Sequence, residues 1–172
     1  VRVRYGVPPH VVDIRRSYLE FDLASSLPAG AIIDSAVLYL YRYEVDTSGD
    51  VPGAIPSAYQ ITDDSWNEGT LTWDNAPAPG AWVANSLNTG YGWIAWDVTA
   101  WAQNQWSGNN PGADNLLSVA LRFFTESGSD QHADFYSSED DGDYWWGHDW
   151  HTRSPYPPYL AINYTLGADL AI

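Results

Sequence analysis

The chain has 172 residues, 45% hydrophobic and 15% aromatic, with 22 acidic residues against seven basic ones and a formal charge of −15. That length fits one domain able to bury a core without disulfides, and this apolar content excludes a disordered chain. The acidic balance argues against nucleic acid and anionic membranes, the absence of Cys excludes disulfides and zinc-thiolate sites, and no apolar run approaches the roughly 20 residues of a membrane span.

In chain order, short strands are expected at 1–5, 17–23 and 33–43. In the second, Leu19, Phe21 and Leu23 alternate with Glu20 and Asp22. In the third, Ala36, Leu38 and Leu40 alternate with Val37, Tyr39, Tyr41 and Tyr43, so its outer face is aromatic and both of its sides can be covered. Further strands are expected at 57–61, 93–97, 117–124, 133–137 and 159–165. Leu117, Val119, Leu121 and Phe123 point inward in one of them, and Leu160, Ile162 and Tyr164 in the last. Gly- and Pro-containing turns punctuate the chain at 27–30, 47–53, 76–80 and 107–112. Only DVTAWAQNQW breaks the alternation: Val98, Trp101, Ala102 and Gln105 recur at helical spacing. This predicts one helix over 99–106, with Asp97 or Thr99 accepting first-turn amides and Trp101 plugging an end of the core. The sum is an all-β, jelly-roll-type β-sandwich with one short helix.

The segment RRSYLEFDLASSLPAGAIIDSAVLYLY at 15–41 resembles DNRLRE-type domains, also called disaggregatase-related repeats. The resemblance continues through DDSWNEGTLTWDNAPAPG at 63–80, GWIAWDVTAWAQNQWSG at 92–108, FYSSED at 135–140 and PYLAINYT at 158–165. It implies a β-sandwich of secreted and cell-wall prokaryotic proteins, some of whose relatives act as carbohydrate-binding modules, and no enzyme activity of its own. It also makes Trp66, Trp73, Trp93, Trp96, Trp101 and Trp106 mostly core and end-cap residues. Two departures stand out: a strand that the family carries ahead of 1–5 is absent, and the insert at 141–157 is longer and more aromatic than the family pattern. Residues 1–166 then form the domain. Residues 167–172 are a linker, the start of a following domain, or part of a donor strand at 166–172 offered to a neighbouring subunit.

Three groups of residues are candidate sites. The acidic loops, with Asp63, Asp64 and Glu68 in one and Asp140, Asp141 and Asp143 in the other, suit a structural calcium ion, which takes oxygen ligands from irregular loops; the bland alternative is a solvated turn. The aromatic insert, Tyr144, Trp145, Trp146, Trp150 and Tyr156, suits a glycan, a partner subunit or a core cap equally. His148 and His151 lack a third His nearby and read as structural or surface residues. Asn163-Tyr164-Thr165 is a glycosylation sequon on the outward face of its strand. No nucleophile elbow, phosphate loop or zinc-hydrolase motif occurs. The expected function is a non-catalytic module of an extracellular or cell-surface protein, structural or adhesive, with a glycan as partner. A strand-exchanging filament subunit is the first alternative and a glycan-active enzyme the second.

Overall fold

The computed structural model describes residues 2–5, 14–42, 55–124, 126, 133–138 and 156–167. Its elements in order are β1 (Arg2–Tyr5), β2 (Ile14–Asp22), β3 (Ala31–Arg42), β4 (Ser57–Gln60), a 3-10 turn (Glu68–Thr70), β5 (Trp82–Ala84), β6 (Gly92–Asp97), α1 (Thr99–Gln105), β7 (Leu116–Arg122) and β8 (Tyr159–Leu166). They build two antiparallel sheets, one ordered β1-β2-β7-β4-β5 and the other β6-β3-β8. The chain steps back and forth between the sheets, from β2 to β3 to β4 and from β6 to β7 to β8. This is a jelly-roll-type connection within the all-β sandwich that the alternating, turn-punctuated strands predict.

The core lies between the sheets. Leu38 and Leu40 from β3, Ile94 and Trp96 from β6, and Leu117, Val119 and Leu121 from β7 are buried there, with Leu19 and Phe21 packed against them. Trp96 is fully buried, and its indole N–H donates to the Pro56 carbonyl at 2.8 Å, so the ring is seated without an orphaned donor. The turn between β2 and β3 is held at both ends. The Asp22 carboxylate accepts from the amides of Ala24 and Ser25, and Gly30 adopts φ +77°, which a side chain would oppose.

The helix has a second task beyond plugging the core. β6 pairs with β3 only from Val37 to Arg42, which leaves the first half of that β3 edge without a strand. The α1 region fills the gap with polar side chains. Thr99 Oγ1 exchanges hydrogen bonds with the backbone of Ala36. The Asn109 side-chain amide both accepts from and donates to the backbone of Ile33, and Gln103 donates to the same carbonyl. Trp106 donates its indole N–H to the Ala31 carbonyl at 2.6 Å. These bonds satisfy a strand edge next to a bulge: the β3–β8 register shifts between Ile33 and Ser35. Asp97 does accept the Thr99 amide at 3.0 Å, as the sequence suggests. Trp101 is buried, with its N–H on the Ser118 carbonyl.

Several expectations change. The stretch 133–137 is not a strand; Phe135 makes an isolated bridge to Arg42. Tyr164 shares the inward row of β8 opposite Ile33 but is 42% exposed, because β8 is an edge strand. β5 has no alternation long enough to be read from sequence; it exists by pairing with β4. Trp66, Trp73 and Trp93 are only half buried and lie outside the main core. Phe123 is likewise half buried. The expected strand at 1–5 is present as β1, and Leu166 is the last residue of β8, opposite Ala31; residues 168–172 lie outside the described residues.

Candidate functional site

Each sheet has an outer face, and the two are treated differently. On the five-stranded sheet, Tyr18, Ile61 and Ala120 are buried beneath Trp66, Leu71, Trp73 and Ala76. The 61–80 segment thus folds back as a cover. The Tyr18 hydroxyl donates to the Pro77 carbonyl at 3.0 Å, and the Arg16 guanidinium lies 4.6 Å from the Trp73 ring centroid. Beside it, Arg16 forms a two-pronged ion pair with Glu126, which Arg122 also meets. Burial pushes the Glu126 carboxyl up, but the two arginines outweigh it and hold it below the ordinary range. The chain itself thus covers the middle of this face, while Glu20 of β2 and, opposite Tyr59, Trp82 of β5 stay exposed.

The outer face of the three-stranded sheet carries rings instead. Alternation on β3 sends Tyr39 and Tyr41 outward, opposite the buried Leu38 and Leu40. Register then sets Tyr159 of β8 beside Tyr39 and Trp93 of β6 beside Tyr41. Tyr136 joins them through its amide, which donates to the Tyr41 carbonyl, and Tyr156 arrives just ahead of β8. Tyr39 and Tyr159 stack with centroids 4.8 Å apart and planes 12° apart. Neighbouring rings that overlap at this distance stand up from the sheet rather than lying flat on it. Tyr41 and Tyr156 stack at 4.2 Å. Trp93 crosses these pairs edge to face, at 5.0 Å from Tyr159 and 5.4 Å from Tyr41. Tyr39, Tyr41 and Trp93 are the half-buried floor, while Tyr156 and Tyr159 are 38% and 42% exposed.

Of the expected ligand residues, Tyr156 therefore sits in a built aromatic surface. Tyr144, Trp145, Trp146 and Trp150 lie outside the described residues, as do Asp140, Asp141 and Asp143. Residue-by-residue reading missed Tyr39, Tyr41, Trp93, Tyr136 and Tyr159 as members of this surface. The outward aromatic row of β3 was the available signal, but nothing in one strand says which rings its neighbours bring.

The acidic loop at Asp63 does not converge on one point. Asp63 is turned to Ser65, whose amide and hydroxyl donate to it and hold its carboxyl low. Asp64 turns toward Ser118 and Asp114, burial pushes its carboxyl up, and its Oδ1 is buried without a hydrogen-bond partner. Glu68 opens the 3-10 turn, exposed. Among the described residues, no group of three or more His, Asp or Glu is placed to hold a metal ion. Asn163 is exposed on the outward row of β8 and donates to Ser35 Oγ at 2.9 Å.

A model for carbohydrate-binding module family 96 matches residues 10–145, most of the chain. The chain belongs to that family. No curated protein matches it. Tyr39, Tyr41, Trp93 and Tyr136 lie within the matched residues and Tyr156 and Tyr159 beyond them, and the described helix is far too short to cross a membrane.

Proposed function

We propose that this module binds a glycan without catalysis, on the outer face of the three-stranded sheet, as part of an extracellular or cell-surface protein. The observation that carries the reading is the ring cluster itself: on the outer face of the three-stranded sheet Tyr156 and Tyr159 stay exposed on a floor of Tyr39, Tyr41 and Trp93, whereas the chain covers the middle of the opposite outer face. Phenol rings of this kind take the C–H face of a pyranose, and their hydroxyls exchange hydrogen bonds with sugar hydroxyls. Among the described residues, the carboxyls pushed upward, Glu20 and Asp64, belong to the opposite sheet and its cover, away from the rings, which supports binding without bond cleavage.

Charge favours a neutral sugar. The chain carries −15 formal charges. Among the described side chains, Arg16 and Arg122 serve Glu126 on the opposite sheet and Arg42 is fully buried. None of these is available on the aromatic face to meet a uronate. Affinity electrophoresis and calorimetry against neutral and uronic-acid polysaccharides test this. Retention by a neutral glycan, lost in Tyr156→Ala/Tyr159→Ala, is expected. Absence of binding to every glycan, or release of reducing ends, would overturn it.

A further inference from the structure

Beyond sugar binding, we infer that the free edge of β8 pairs with β8 of a second copy of this chain, joining two three-stranded sheets into one of six strands. The case rests on how the sandwich treats its edges. An unguarded edge is a template for another strand, and proteins blunt edges with shortness, charge, proline, bulges or a cover. β1 is four residues long and carries two arginines, and β5 is three residues long. β6 is covered: the Leu87 amide donates to the Ala95 carbonyl, and the Asn88 side chain accepts from the Ala95 amide and donates to the Trp93 carbonyl. The first half of β3 is covered by Thr99, Gln103 and Asn109.

Among the described residues, β8 has none of these devices. It runs for eight residues, YLAINYTL, with no charge and no proline. The extra residue of the bulge, Asp34, is on β3, so β8 itself is regular. Among the described residues it pairs with β3 alone. No residue along it is buried, and Leu166, in the inward row, is 64% exposed.

The occupant follows from charge and from the pleat. Two chains of −15 repel each other wherever acidic surface meets acidic surface, and β8 is an uncharged strip. Among the described residues, the carboxylate in contact with it is Asp34, which sits one strand inward, 3.5 Å from the Thr165 hydroxyl. Its copy in the partner would lie about three inter-strand spacings away, roughly 14 Å, beyond the screening length of about 8 Å. β8 is also self-complementary. Antiparallel pairing must match face with face, so the two-fold axis falls at Ile162 or at Asn163. With the axis at Asn163, Leu160 faces the partner's Leu166 and Ile162 faces the partner's Tyr164, which covers the uncovered end of the inward row. Because that axis is normal to the sheet, both aromatic surfaces would share one face, and a sugar polymer could meet both.

The test uses the full chain without sugar, so its result is independent of the glycan reading. Sedimentation at about 100 μM should show a weak, concentration-dependent dimer, as expected for a small interface. Tyr164→Lys should return it to monomer with unchanged circular dichroism. The chain has no cysteine, so trapping is clean. Asn163→Cys, or a mixture of Ala161→Cys and Asn163→Cys chains, should crosslink about tenfold faster than Leu87→Cys, since facing residues fall within disulfide reach. A strictly monomeric parent chain, a dimer that survives Tyr164→Lys, or crosslinking no faster than the Leu87→Cys control would overturn the proposal.

Discussion

Tyr41 and Tyr156 stack face to face, with centroids 4.2 Å and planes 12° apart, although one lies in the middle strand of its sheet and the other precedes the edge strand β8. The contact ties the chain leading into β8 to the floor of the aromatic surface. The outer ring, Tyr156, remains 38% exposed.

Truncating the outer rings should therefore affect binding more than folding. Tyr156→Ala and Tyr159→Ala each remove one exposed ring, and each should weaken glycan binding by about 3- to 10-fold, from about 0.5–1.5 kcal/mol per aromatic contact. Melting temperatures should fall only modestly, since both rings are partly exposed although each gives up its stacking partner. Trp93→Ala touches both Tyr41 and Tyr159 and should lower both affinity and stability. Calorimetric titration beside thermal melts separates the two effects.

Gly108 is held in a confined place. A methyl group there would collide with the Ala31 carbonyl and the Trp106 indole, the two groups that hydrogen-bond each other at the turn after α1. Neither is a loose side-chain end, since one is backbone and the other is a buried ring. Gly108→Ala should cost about 1–3 kcal/mol, the usual penalty of overpacking, read as a lower denaturant midpoint.

The carboxyls at the cover give opposite signs with pH. Asp64 and Glu20 are both pushed up, first by burial and then, for each, by neighbouring carboxylates that include Asp114. A raised folded pKa means that their contribution to stability is complete below the unfolded value, about 4, and is lost as pH rises through the folded value. Asp64→Asn should therefore raise the melting temperature at pH 7, with the gain disappearing toward pH 4. Melts of both proteins across that range check it.

Glu126 runs the other way. Its carboxyl is held low by Arg16 and Arg122 against the push of burial, so it stabilises the fold above the unfolded value and loses that contribution as pH falls through the folded one. Glu126→Gln should lower the melting temperature at pH 7, and the difference from the parent should shrink in acid. A pH-independent deficit would mean that the side chain acts by packing alone.

What sequence alone determined was local. The alternation of Leu38 and Leu40 with Tyr39 and Tyr41 fixes a strand with one buried and one aromatic face, because successive side chains point to opposite sides. The helical spacing of Val98, Trp101 and Ala102 fixes α1, and the Gly- and Pro-containing turns fix most boundaries. Tertiary structure decided which strands are neighbours, and with that the make-up of the candidate site. Register across β6-β3-β8 gathered Trp93, Tyr41, Tyr39 and Tyr159 from three separate stretches of chain into one surface. The 61–80 segment covers the middle of one outer face, and Thr99 and Asn109 close half an edge of β3 while β8, among the described residues, keeps its own. Periodicity reports which way a side chain points; it carries no information about the strand beside it, because that pairing is set by the packing of the whole sandwich.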